Sequence, residues 1–157
     1  MAIGTATMTI TITESVDMNN AAGGNTVGDT STSIAETITV NDIFKRIISC
    51  PTSEILLYDT HDSNVAGSTF DDDLIKYVRI TNHDGSNYII LRIKNADNDE
   101  FAYQLAAGQS FILWGHEATM NAVDAGTLDI STGFHDISSV KATANTGACD
   151  LEILIAS

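Results

Sequence analysis

Residues 74–94 read Leu-Ile-Lys-Tyr-Val-Arg-Ile-Thr-Asn-His-Asp-Gly-Ser-Asn-Tyr-Ile-Ile-Leu-Arg-Ile-Lys. Two runs rich in β-branched and aromatic residues flank His83-Asp84-Gly85-Ser86, and apolar and polar side chains largely alternate within each run. A period of two marks a strand with one face turned to a core. Asp-Gly between two such runs predicts a hairpin turn. The expectation is a pair of strands over 74–82 and 87–94, with Leu74, Val78 and Ile80 packing against Ile89, Leu91 and Ile93. Arg79 and Arg92 then fall on the opposite faces, beside Tyr77 and Tyr88.

The same grammar continues on both sides. Downstream, a turn over 95–99 leads to a strand at 101–105, and Ala107-Gly108-Gln109 turns the chain into another at 110–114. The pattern weakens until 127–130, resumes at 137–144, and closes with Cys149–Ala156, where Leu151, Ile153 and Ile155 alternate. Upstream, 54–59 reads as a short strand, and Pro51 ends a run over 43–50. That run also fits a short helix capped by Asn41 or Asp42, but its isoleucines favour a strand. Residues 34–40 alternate, and so do 5–14, where Met8, Ile10 and Ile12 oppose a row of threonines at 7, 9, 11 and 13. The N-terminal strand is either an ordinary edge strand or an arm exchanged into a neighbour's sheet. Between these two strands the chain is rich in Asn, Gly, Ser and Thr, which predicts a mobile loop over 17–33. About eight to nine strands with these spacings predict a single all-β domain over 1–157, an antiparallel sandwich of jelly-roll type.

Composition agrees with a globular domain. Of 157 residues, 43% are hydrophobic and 18% charged. A chain of this length buries about 70% of its unfolded surface and folds without disulfides or metals. The formal net charge of −14, from 7 basic and 21 acidic side chains, argues against nucleic acid and against an anionic membrane surface, since both need clustered Lys and Arg. It also makes copies repel one another, so assembly needs apolar contact, divalent cations or salt. No run is long and apolar enough to span a membrane. Met1–Thr5 lacks the basic and apolar regions of a signal peptide, so synthesis in a cytoplasm is expected. Cys50 and Cys149 are read as buried free thiols or as one long-range bridge.

No constellation in the sequence carries catalysis, so no catalytic or cofactor-binding residue is assigned and the chain is read as not an enzyme. Gly108-Gln-Ser110-Phe-Ile is only half of a nucleophile elbow and falls in a turn between strands. Gly23-Gly24 precedes neither a lysine nor a helix. His61, His83, His116 and His135 form no chelating spacing. Three of them precede an aspartate, and adjacent side chains on a strand face opposite ways. No metal ligand is therefore assigned. Structural calcium is the residual candidate, through Asn95, Asp97, Asp99 and Glu100 in one turn and Asp71-Asp72-Asp73 in another, although the spacing is not that of an EF-hand. The basic residues Lys45, Arg46, Lys76, Arg79, Arg92, Lys94 and Lys141 all fall on expected strands. They serve either cross-strand pairs and edge protection or an intermolecular salt-bridge surface.

Residues 77–113 run Tyr-Val-Arg-Ile-Thr-Asn, a turn, Tyr-Ile-Ile-Leu-Arg-Ile, a turn, then Tyr-Gln-Leu-Ala-Ala-Gly-Gln-Ser-Phe-Ile-Leu, and the chain ends with Val140-Lys-Ala-Thr-Ala-Asn, a turn and Leu151-Glu-Ile-Leu-Ile. This pattern of strands and turns resembles the small jelly-roll virion proteins of tailed bacteriophages, particularly those of marine and cyanobacterial phages. The resemblance covers roughly the second half of the chain. It implies a non-enzymatic part of the virion: a capsid decoration or cement subunit, or a tail- or fibre-associated one. The implied partners are further copies of the chain and other virion proteins such as the major capsid protein. It supplies no site residues. A carbohydrate-binding module is the competing expectation, with Trp114, Tyr58, Tyr77, Tyr88 and Tyr103 as its only sources of an aromatic platform.

Overall fold

The computed structural model describes residues 5–16, 30–60, 69–71, 74–114, 119–120 and 135–157. They contain strands and no helix: β1 (Ala6–Val16), β2 (Thr30–Val40), β3 (Ile43–Cys50), β4 (Ile55–Thr60), β5 (Thr69–Phe70), β6 (Tyr77–Asn82), β7 (Ile89–Asn95), β8 (Glu100–Leu105), β9 (Ser110–Trp114), β10 (Thr119–Met120), β11 (His135–Ala144) and β12 (Cys149–Ala156). The all-β expectation holds, and 43–50 is a strand. The strand number exceeds the eight to nine expected, partly because β5 and β10 are two-residue pieces too short to show a period. The strand expected at 127–130 lies outside the described residues.

The chain divides into two compact units, Met1–Asn41 and Asp42–Ser157. In the larger unit one sheet runs β3-β12-β6-β9 and the other β5-β4-β11-β7-β8, with β10 pairing β11. If β3, β4, β6, β7, β8, β9, β11 and β12 are numbered one to eight, the sheets read 1-8-3-6 and 2-7-4-5. The pairs 1–8, 2–7, 3–6 and 4–5 are those of one long antiparallel hairpin. Wrapping that hairpin around itself sets 8 beside 3 and 7 beside 4, which is the jelly roll. First and last strands meet along their length, from Cys50 opposite Cys149 to Ile43 opposite Ala156. Asp42 and Ser157 lock that end with reciprocal backbone hydrogen bonds of 3.0 Å.

This topology corrects the hairpin expected at 74–94. β6 and β7 belong to different sheets. The apolar rows do meet, since Val78, Ile80, Ile89, Leu91 and Ile93 share one buried cluster, but they meet across the sandwich. The local reason lies in the turn. A two-residue hairpin needs positive φ at its centre, and Gly85 does not have it. Instead the Asp84 carboxylate accepts from the Ser86 and Asn87 backbone amides. Buried Asn82 donates its amide to the carbonyls of Asn87, Leu105 and Ala106. These bonds hold the chain in a crossover between layers. Leu74 also departs from expectation: it precedes β6 and is 45% exposed.

The smaller unit is a two-stranded ribbon. β1 and β2 pair antiparallel over their whole length, from Ala6 opposite Val40 to Val16 opposite Thr30. Residues 30–33 therefore extend a strand beyond the boundary read from sequence, because Thr and Ser suit an exposed strand as well as a loop. The rest of the loop expected at 17–33 lies outside the described residues. The strand expected over 5–14 is present and pairs with β2.

Candidate interaction surfaces

Alternation along β12 sends Leu151, Ile153 and Ile155 into the core and Glu152 outward. Glu152 nevertheless keeps only 9% of its side-chain surface exposed. It lies on the outer face of the four-stranded sheet, so the side chains around it cover it. Arg79 of β6 donates to its Oε1, Lys45 Nζ of β3 lies 3.1 Å from its Oε2, and His83 Nε2 lies 3.7 Å from the same oxygen. Burial alone would push the carboxyl up, but hydrogen bonds and charge from Lys45 and Arg79 outweigh burial and hold it below its ordinary range. Apolar residues share this face. By register Ile47 lies opposite Glu152 and Ile112 opposite Arg79, and they are 62% and 39% exposed. Tyr77 and Trp114 stack edge to face, 5.8 Å apart.

The outer face of the other sheet carries ion pairs beside exposed Leu56 and Ile90. Arg92 Nη2 meets Glu54 Oε1 at 2.9 Å, Arg92 Nε meets Glu100 Oε2 at 3.5 Å, and Lys141 Nζ meets Glu54 Oε1 at 3.3 Å. All four side chains are more than a third exposed, so each pair is worth about 0–1 kcal/mol. Between the two faces, Lys45, Arg79, Arg92 and Lys141 pair within the chain, and Arg46 lies 5.3 Å over the Phe44 ring. That is the cross-strand alternative. Lys76 is not on a strand as expected; it stands immediately before β6.

The acidic turn over 95–100 is organised from within. Buried Asn95 accepts from the backbone amides of Asp97 and Asp99 and donates to the Asp99 carboxylate and the Met120 carbonyl. Asp97 turns to His135, with 3.1 Å between Oδ2 and Nε2. Asn98 takes a positive φ of 73° to close the turn. Among the described residues no cluster of three or more metal-donating side chains forms. Asp72, Asp73, His61 and His116 lie outside the described residues. Cys50 and Cys149 are free thiols, directly opposite each other and buried. Burial, and then the neighbouring thiol, push Cys50 up to about 11, so it is poorly suited to be a nucleophile. The aromatics do not gather. Tyr58 is in the core, Tyr77 and Trp114 share one outer face, and Tyr103 lies against Phe111 of the facing sheet, 5.1 Å between ring centres.

Sequence reasoning missed Glu152 and Asn82, and read Asn95 as a calcium candidate rather than as the residue that organises its turn. Signals for each were present. Glu152 is an acid within an apolar strand, between Leu151 and Ile153. Each asparagine ends a strand just before a polar turn, where its side chain can bond the backbone two residues on. No family model, no curated protein and no solved structure matches the chain.

Proposed function

We propose that this protein is a non-enzymatic structural subunit of a virion, a capsid decoration or cement protein that assembles by symmetric contacts between copies and with the major shell protein. The observation that carries this reading is the strand order 1-8-3-6 over 2-7-4-5, an architecture used by viral capsid proteins. The sequence resemblance in its second half points the same way. The disposition of polar side chains adds support. The described ion pairs knit strands of one sheet or brace a turn, and the thiols lie in the core, so these groups serve the rigidity of the sandwich. Jelly rolls also serve lectins, but the scattered tyrosines and Trp114 make a poor sugar platform. Tail or fibre attachment is the same mechanical role at another place on the particle.

The test is solution mass by light scattering across protein concentration, salt and calcium. A closed oligomer is expected, tightening as salt screens the −14 charge of each copy. A strict monomer at millimolar concentration that binds glycans on an array would replace this reading with carbohydrate recognition.

A further inference from the structure

A two-stranded hairpin is marginal in water by itself, and this one lacks the usual protection of its edges. β1 is 11 residues long and pairs with β2 without a bulge. No Lys or Arg precedes Lys45, and the single proline is Pro51. Short length, lysine, proline and bulges are the devices that keep exposed edges from pairing. The sandwich uses them: β5 is two residues long, and β3 carries Lys45 and Arg46 and stops at Pro51. Among the described residues the ribbon sheet holds β1 and β2 alone, so the outer edge of β1 faces no further strand. One face of the ribbon carries Met8, Ile10 and Ile12 with Ile38, Glu36 and Ile34 opposite them, and the other is mostly Thr and Ser. Ile12 and Ile34 remain 39% and 61% exposed.

We infer that β1 pairs antiparallel with β1 of a second copy about a two-fold axis at Ile10, joining two ribbons into one four-stranded sheet β2-β1-β1-β2. The inference rests on the assembling-subunit reading and names its partner and contact. The β1 sequence is self-complementary in this register. Met8 falls opposite Ile12 of the partner and Ile10 opposite Ile10, so the apolar rows of the two β1 strands meet without interruption, with Glu36 on the outer strands. Thr9 falls opposite Thr11 of the partner, so the hydroxyl face is continuous too. A register moved by one residue would mix the faces. Charge selects β1 over β2 as the pairing edge. Pairing through β1 sets Glu14 opposite Ala6, and keeps the two Glu36 carboxylates three strand spacings apart, about 14 Å, beyond the screening length of about 10 Å at 0.1 M salt. Pairing through β2 about the equivalent central residue would set Glu36 against Glu36, and like charges directly opposite oppose pairing.

Charge placed on the hydroxyl face tests the register. Thr9→Lys with Thr11→Lys opposes like charges across the axis and should weaken the dimer at least tenfold by light scattering. Thr9→Lys with Thr11→Glu opposes unlike charges and should restore it. Ala35→Lys with Thr37→Lys, on β2 and away from the axis, should leave it unchanged. Separately, Ile10→Cys should give an intermolecular disulfide under glutathione disulfide, because antiparallel partners lie about 4.5–5.5 Å apart at Cα, within disulfide reach. An oligomer that survives the double lysine variant, and no cross-link at position 10, would overturn ribbon pairing while leaving the assembling-subunit reading intact. A wild-type monomer would sink both.

Discussion

In β12, Leu151, Ile153 and Ile155 alternate with outward residues and are 0–1% exposed. In β1, Met8, Ile10 and Ile12 alternate in the same way, yet exposure rises from 8% at Ile10 to 39% at Ile12. The strands are alike, and only their surroundings differ. β12 lies between β3 and β6 with a second sheet over its inner face. β1 has one neighbour in its sheet. Alternation specifies which face is apolar, but it does not specify what covers that face.

The sharpest way to break this comparison is to truncate matched residues. Ile153→Ala empties a fully buried site and should cost about 2–5 kcal/mol. Ile12→Ala should cost less than about 1 kcal/mol in a dilute, monomeric sample, since its site is already open to water. Urea denaturation of both variants measures the gap. Equal losses would mean that the ribbon is as well covered as the sandwich.

The next effect in size concerns Glu152, a charged group held on the outside of the well-packed unit. Glu152→Gln removes charge-assisted bonds to Arg79 and Lys45 and should cost about 2 kcal/mol at neutral pH. The sign with pH follows from the lowered folded value. The stabilisation is complete above the ordinary 4.5 and drains away as pH falls below it, through the folded value. Wild-type and variant stabilities should therefore converge at low pH. A constant difference down to pH 2 would show that the variant acts through packing.

Much of this was legible in the sequence, for physical reasons that also set the limit. The strands at 137–144 and 149–156 were readable because each buries one face, and burial writes a period of two. The partners of those strands were not, because Val78 presents the same apolar surface to a hairpin neighbour as to an opposing sheet. The error at 83–86 came from reading Asp84-Gly85 as a hairpin turn, when Asn82 and Asp84 commit their side chains to a crossover. The polar contacts were harder still. The basic residues were visible on strands, but Arg79 and Lys45 converge on Glu152 only because β3 and β6 flank β12, and the jelly-roll wrap sets that order. The Cys50–Cys149 contact follows from the same pairing of first and last strands.

The thiols give a milder contrast between protected and open structure. Both thiols are buried, and burial pushes Cys50 up to about 11 and raises Cys149 as well, so neither presents a ready thiolate near neutral pH. Ellman's reagent should therefore leave both cysteines unmodified in the native protein and titrate them on unfolding. Fast native labelling would mean that β3 frays from β12 and that the first-to-last strand pair is the weak seam of the sandwich.

The smallest effect is the most direct measure of the ribbon. Ile12→Thr with Ile34→Thr extends the hydroxyl character to the exposed end of the apolar face, and it should leave the urea transition of the sandwich within about 0.5 kcal/mol of wild type. Hydrogen exchange shows what the transition does not. β12 amides should open only with global unfolding, while β1 amides should exchange through local opening of far lower free energy. Because pairing with a second copy covers the β1 edge, that protection should grow with protein concentration, and the double threonine variant should blunt the growth. Protection of β1 that equals β12 at every concentration would mean that the ribbon is held within its own chain as firmly as the sandwich.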